Sequence, residues 1–177
     1  MSVEEHTESG GRPQPQSVGL DEPRIASLQG RSVADYTESY STHVGAGVET
    51  CFAVLTDFEA YPNWSSPVRE CTVLTRHADG LPHHVAFVLD TPIKTIRYTL
   101  AYTWDPPHGG EWELVEGDVA GVEGSYEFAP ARSGCTATCT QAIDLGFWVP
   151  GFLRSLFEKK ALKDSVDEFR AAAENRG

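Results

Sequence analysis

The sequence predicts an α+β fold: a seven-stranded antiparallel sheet, two short helices after the first strand, and a long C-terminal helix. Three observations carry this reading. Short segments with strand-like alternation recur six times between Val68 and Leu145, each bounded by turn residues. Their connections are short, which favours antiparallel neighbours in a meander. From about Pro150 to Glu174 the spacing becomes helical, with proline in the first turn.

Taken in order, residues 1–31 are polar and punctuated by Gly10, Gly11, Pro13 and Pro15. They offer almost nothing to bury, so we expect a disordered N-terminal tail ahead of one domain, residues 32–177. A strand rich in Tyr, Thr, Ser and Val runs from about Ser32 to Val44 and breaks at Gly45-Ala46-Gly47. Val48, Cys51, Phe52, Val54, Leu55 and Phe58 then recur at helical spacing. Glu59 to Trp64, with Pro62, reads as a second short helix or turn. Strands follow at roughly 68–77, 83–89, 95–104, 111–116, 119–129 and 135–145, separated by Asp79-Gly80, Thr91-Pro92, Pro106-Pro107, Gly117-Asp118 and Ser133-Gly134. The final helix carries two apolar clusters on nearly opposite sides: Phe152, Leu153, Leu156 and Phe157, then Leu162, Val166, Phe169 and Ala173. Either it bends across a curved sheet, or its first half covers something other than packed core.

Tyr98, Leu100, Tyr102 and Trp104 form the most informative stripe. They alternate with Arg97, Thr99, Ala101 and Thr103, and Trp112 and Leu114 continue the pattern after the next turn. Period two means a sheet with one dry face. Three hydrogen-bonding aromatics on that face are unusual for a closed core, because each buried O–H or N–H needs a partner. An apolar cavity with a few polar handles suits the mixture. The chain reads first as a container.

Charge narrows the partners. The net charge is −12, and residues 32–149 hold sixteen acidic against five basic side chains. Such a body repels phosphate backbones, so no nucleic acid partner is expected. Arg154, Lys159, Lys160 and Lys163 read as a solvated helix face. No apolar run approaches a membrane span, and residues 1–31 hold no hydrophobic signal segment; a cytoplasmic protein without stable membrane insertion is expected. Cys51, Cys71, Cys135 and Cys139 show no CxxC and no zinc-like spacing with histidine. Cys135 and Cys139 would sit about 13 Å apart on one strand, too far to bridge. Reduced, buried thiols are expected.

Three blocks carry a family resemblance: Asp57-Phe58-Glu59-Ala60-Tyr61-Pro62-Asn63-Trp64, Gly124-Ser125-Tyr126-Glu127-Phe128 and Val149-Pro150-Gly151-Phe152-Leu153. From about Ser32 to Glu174 the chain resembles the polyketide cyclase/dehydrase and lipid-transport family of the START-like (SRPBCC, helix-grip) superfamily. Single-domain actinobacterial members and coenzyme-Q-binding-like members look most similar. The resemblance implies a sheet wrapped around the long helix with an apolar cavity between them. Its ligand-binding residues would then be Phe87, Leu89, Tyr98, Leu100, Tyr102, Trp104, Trp112, Tyr126 and Phe128, with Trp64, Phe152, Leu153 and Leu156 at the mouth. On the last strand, Thr136, Thr138 and Thr140 alternate with Ala137 and Cys139, and the sequence does not fix which set faces inward.

The catalytic signals are weak by comparison. The six histidines build no Ser-His-Asp or metal set, and no P-loop, dinucleotide fingerprint, HExxH or GxSxG occurs. Neither a metal nor a cofactor is expected. Asp57 reads as a cap or loop residue, and Arg97 points outward. A buried member of Glu123, Glu127 and Asp144 would be an acid–base candidate. The expectation is a monomer or homodimer that binds a hydrophobic small molecule (lipid, isoprenoid or polyketide-like) as a carrier. The alternative is a polyketide cyclase/aromatase or dehydratase acting on a poly-β-ketone in the same cavity.

Overall fold

A computed structural model describes residues 37–91, 94–146 and 160–177. The expected tail, residues 1–31, and the first half of the long helix, with Phe152, Leu153 and Leu156, lie outside the described residues.

The element order is β1 (Thr37–Val44), α1 (Val48–Thr56), a 3₁₀ turn (Phe58–Ala60), α2 (Tyr61–Trp64), β2 (Val68–Val73), β3 (His84–Asp90), β4 (Thr95–Asp105), β5 (Gly109–Gly117), β6 (Gly121–Ala131), β7 (Gly134–Asp144) and α3 (Ala161–Arg176). The strands form one sheet in the order β1-β7-β6-β5-β4-β3-β2, antiparallel throughout. Six strands are therefore a meander, and β1 closes the sheet beside β7. This is the helix-grip arrangement.

Local chemistry sets the boundaries. The Gly45-Ala46-Gly47 break leaves the Gly45 N–H to donate to Glu174 Oε1 at 2.9 Å, which ties the end of β1 to α3. Asp57 caps the end of α1 and pairs with Arg176 at 2.7 Å, anchoring the other end of that contact. Strand β2 stops at Val73, short of the expected His77. The Asp79 carboxylate accepts from the Leu81 N–H at 3.0 Å, and Gly80 takes a left-handed φ of 89°, so a turn captures the residues before it.

The core lies where α1 and the described part of α3 meet the inner face of the sheet. Val48, Cys51, Val54 and Leu55 of α1 are buried, as are Leu162, Val166, Phe169 and Ala173 of α3. The second apolar cluster of the long helix is thus a core stripe. On β7 the inward set is Cys135, Ala137 and Cys139. The threonines face out and form a hydroxyl ladder with β1: Ser39 to Thr140 at 3.1 Å and Ser41 to Thr138 at 2.8 Å. All four cysteines are free thiols.

Candidate ligand cavity

One end of the sheet is not filled by its own side chains. A cavity of about 500 Å³ remains between the sheet, α2 and the start of α3. That volume falls within the usual range for small-molecule sites, about 300–1,000 Å³.

Strand β4 supplies the centre of its wall. Ile96, Tyr98, Leu100 and Tyr102 point inward at alternate positions. Phe87 and Leu89 of β3 stand beside them, with Phe87 directly opposite Tyr98. Trp112 of β5 pairs with Tyr102 on one side and Gly124 on the other. Its indole crosses the bare glycine, where a Cβ would come within 2.5 Å of Cζ2. Tyr126, Cys139, Gln141 and Ile143 continue the wall across β6 and β7.

Beyond Glu113↔Glu123, β5 and β6 no longer pair, so the sheet splits there. The loop between them folds back onto β4: the Asp118 carboxylate accepts from the Arg97 N–H at 2.9 Å, and the Asp118 N–H donates to the Arg97 carbonyl at 2.8 Å. This turns Val119 and Val122 into the cavity. Trp64, Ser65, Pro67 and Val68 line the opposite side, facing Leu162 and Ser165 of α3. A clasp bridges those two walls: Glu168 accepts from the Ser66 N–H at 3.0 Å and from its hydroxyl at 2.6 Å.

Two expected wall residues are elsewhere. Trp104 has the inward parity, but its indole stacks on Tyr102 (5.0 Å, 7°), meets Phe52 edge-on and donates to the Pro82 carbonyl at 2.6 Å. Helix α1 covers it, so it belongs to the packed part of the core. Phe128 stacks on Phe169 of α3 (5.7 Å, 9°) for the same reason: α3 lies over that end of β6. The other described candidates, Trp64, Phe87, Leu89, Tyr98, Leu100, Tyr102, Trp112 and Tyr126, do line the cavity. The sequence reading missed Tyr61, Ile96, Val119, Val122, Cys139 and Gln141. Ile96 shares the parity of Tyr98 and Tyr61 sits in a block already noted, so both carried a signal.

Burial governs the interior chemistry. Tyr61, Tyr98, Tyr102 and Tyr126 all have their phenol pKa raised, first by desolvation and then by neighbouring ionisable groups. Burial likewise pushes Cys139 up to about 12, although the Tyr126 hydroxyl partly offsets this, and Cys71 up to about 12. These groups stay protonated near neutrality, and each keeps a hydrogen that it can donate. The Tyr61 hydroxyl is used internally, donating to the Leu55 carbonyl at 2.8 Å. Among the described residues no carboxylate is buried, and Glu127 and Asp144 are exposed. The charged wall residues are Asp90, Lys160 and Asp164, all at the solvent-exposed rim. His77, His83 and His84 stack on one another away from the cavity, with ring centroids 4.3 and 4.0 Å apart. The described residues contain no group of three or more His, Cys, Asp or Glu arranged to hold a metal ion, and no helix long and apolar enough to cross a membrane.

Fold and cavity together define a helix-grip container. The model of the polyketide cyclase/dehydrase and lipid transport family matches residues 44–170, and the chain belongs to that family. No curated protein matches the sequence. Among solved structures, a START superfamily protein from Mycobacterium smegmatis is similar with TM-score 0.66 and 22% identity, over 79% of this chain and 95% of that one. The Zhui aromatase/cyclase from Streptomyces sp. R1128 gives TM-score 0.68 at 15% identity, covering 80% and 94%. A protein from Thermus thermophilus gives 0.66 at 21%, covering 80% and 96%. At these identities the likeness concerns the fold.

Proposed function

We propose that this protein binds a hydrophobic small molecule in the cavity between sheet and C-terminal helix, as a carrier or binding protein. The observation that carries this reading is the cavity itself: about 500 Å³ lined mainly by aromatic and aliphatic side chains, beside a buried hydrophobic core. Burying apolar ligand area there contributes about 25 cal/mol per Å² before ordering costs. The phenols and Trp112 set orientation, and the wall formed by Trp64 and α3, held by the Ser66–Glu168 clasp, borders the entrance.

Membership of a family described by both cyclases and lipid transport raises a catalytic alternative. A cyclase needs a proton acceptor as well as donors to an enolate. The interior phenols and thiols described here are held protonated, and the described carboxylates lie at the rim or outside. These features support carriage over catalysis.

Native mass spectrometry of protein purified from its own host tests the proposal. A co-purifying apolar molecule of defined mass, bound one per chain, is the expected result. Ligand-free protein that also fails to take up any lipid or aromatic extract would overturn it.

A further inference from the structure

Cys51 and Cys135 meet inside the core. Their sulfur atoms lie 3.3 Å apart although the residues are 84 positions apart in the chain, and both are fully buried. Local structure on each side fixes the meeting. Cys51 stands in the first turn of α1, where its N–H donates to the Gly47 carbonyl at 3.0 Å. Cys135 stands at the start of β7, paired with Val44 on β1 and with Pro130 on β6. Gly134 lets β7 begin there: its φ is 101°, and a Cβ would come within 2.0 Å of the Val44 carbonyl. The Gly45-Ala46-Gly47 turn then leads from Val44 into α1 and sets Cys51 beside Cys135.

A disulfide has a sulfur–sulfur bond of about 2.05 Å, so sulfurs starting 3.3 Å apart need to close by only about 1.3 Å. The other two thiols are placed differently. Cys139 contacts the Tyr126 hydroxyl and lies about 13 Å along β7 from Cys135. Cys71 is on β2, at the other end of the strand order. Burial sets the pace of any reaction at the pair. Desolvation, and then the Cys135 thiol and the Glu174 carboxylate, hold the Cys51 thiol well above its ordinary range. The attacking species is the thiolate, so oxidation at neutral pH is slow, and a bond once formed is shielded from reducing thiols. This is the behaviour of a lock rather than of a fast sensor.

We propose that Cys51 and Cys135 are an oxidation site, at which hydrogen peroxide forms a disulfide that staples α1 to β7. One sulfur, as its thiolate, attacks a peroxide oxygen; the O–O bond breaks, hydroxide leaves and a sulfenic acid remains. The second sulfur gives up its proton and displaces that oxygen as water. Two thiols and one peroxide thus yield one disulfide and two waters, the sulfurs losing the two electrons that the peroxide gains. The staple matters to the cavity because α1 contributes Leu55 to its wall and holds Tyr61 through the Leu55 carbonyl.

The test treats the whole chain with hydrogen peroxide at about pH 8, alkylates the remaining thiols in urea and maps the peptides by mass spectrometry without reduction. The Cys51 and Cys135 peptides should be joined, with Cys71 and Cys139 alkylated and the intact monomer lighter by two hydrogens. Its melting temperature should rise by about 10 °C, because a bond closing so long a loop restrains the unfolded chain. Dithiothreitol should reverse both changes, slowly in the folded protein and rapidly in urea. Cys135→Ala should lose the cross-link and the rise, and the peptide map of the unaltered protein decides the matter whether or not that variant folds. Four free thiols after peroxide, a bond between other cysteines or between chains, sulfinic acid at Cys51 or Cys135 in place of the bond, or an unchanged or lower melting temperature overturns the inference. The binding reading is independent of every one of these results.

Discussion

Trp112 lies flat across Gly124, and any larger residue at 124 would meet the indole at 2.5 Å and the Thr140 carbonyl at 2.6 Å. The floor of the cavity thus depends on a missing side chain one strand away. Gly124→Ala is expected to displace the indole, at a cost of about 1–3 kcal/mol by analogy with overpacked cores, and to weaken apolar ligand binding as the floor tilts. Urea denaturation and probe titration on the same variant check both effects.

The Ser66–Glu168 clasp joins the two walls beside the entrance without touching the interior. Removing it with Glu168→Ala should lower stability by only about 1 kcal/mol, since the pair is partly solvated. Its larger effect is expected on the dissociation rate of a bound probe, which rises several-fold while equilibrium selectivity stays the same. Stopped-flow displacement measures this; an unchanged rate would remove the clasp from the entrance.

Trp104 and Phe128 separate core from wall. Phe128→Ala removes the partner of Phe169, itself 1% exposed, and is expected to cost about 3–5 kcal/mol. Trp104→Ala should be similarly destabilising through Tyr102 and Phe52. In both, whatever protein remains folded should keep the ligand preference of the parent. A changed preference at intact stability would place these rings on the wall.

The buried thiols give a pH signature. Burial raises Cys71 and Cys139 from 9.0 to about 12 in the folded state. A folded-state pKa above the unfolded one contributes stability that is complete below about pH 9 and is lost as pH rises towards about 12. The raised phenols act in the same direction from about pH 10. The urea midpoint should therefore hold steady between about pH 7 and about pH 8.5 and fall by about pH 10.5. Cys71→Ala with Cys139→Ala should flatten the first part of that fall.

Much of the architecture was legible because period-two alternation is local. Tyr98, Leu100 and Tyr102 face inward as their spacing requires, Arg97 faces out, and the late apolar cluster of the C-terminal helix is core. Parity names the face of a residue but not the element above it. Trp104 continues the stripe correctly and still leaves the cavity wall, because α1 covers that end of β4. Cys139 and Gln141 escaped for another reason: on β7 neither the Thr set nor the Ala/Cys set is hydrophobic enough to declare itself. The hydroxyl ladder to Ser39 and Ser41, a contact distant in sequence, decides the matter. Val119 and Val122 enter the cavity only because Asp118 folds its loop onto Arg97, which no pattern within that segment announces.

The most direct test of the container is to fill it. Cys139 is small, inward and on the cavity wall, so Cys139→Phe directs a ring towards the open space. Titration with the neutral fluorophore N-phenyl-1-naphthylamine should show saturable binding, one per chain, in the parent protein and its loss in a Cys139→Phe protein that still unfolds cooperatively. Absence of binding in the parent, or equal binding in the filled variant, would contradict the account.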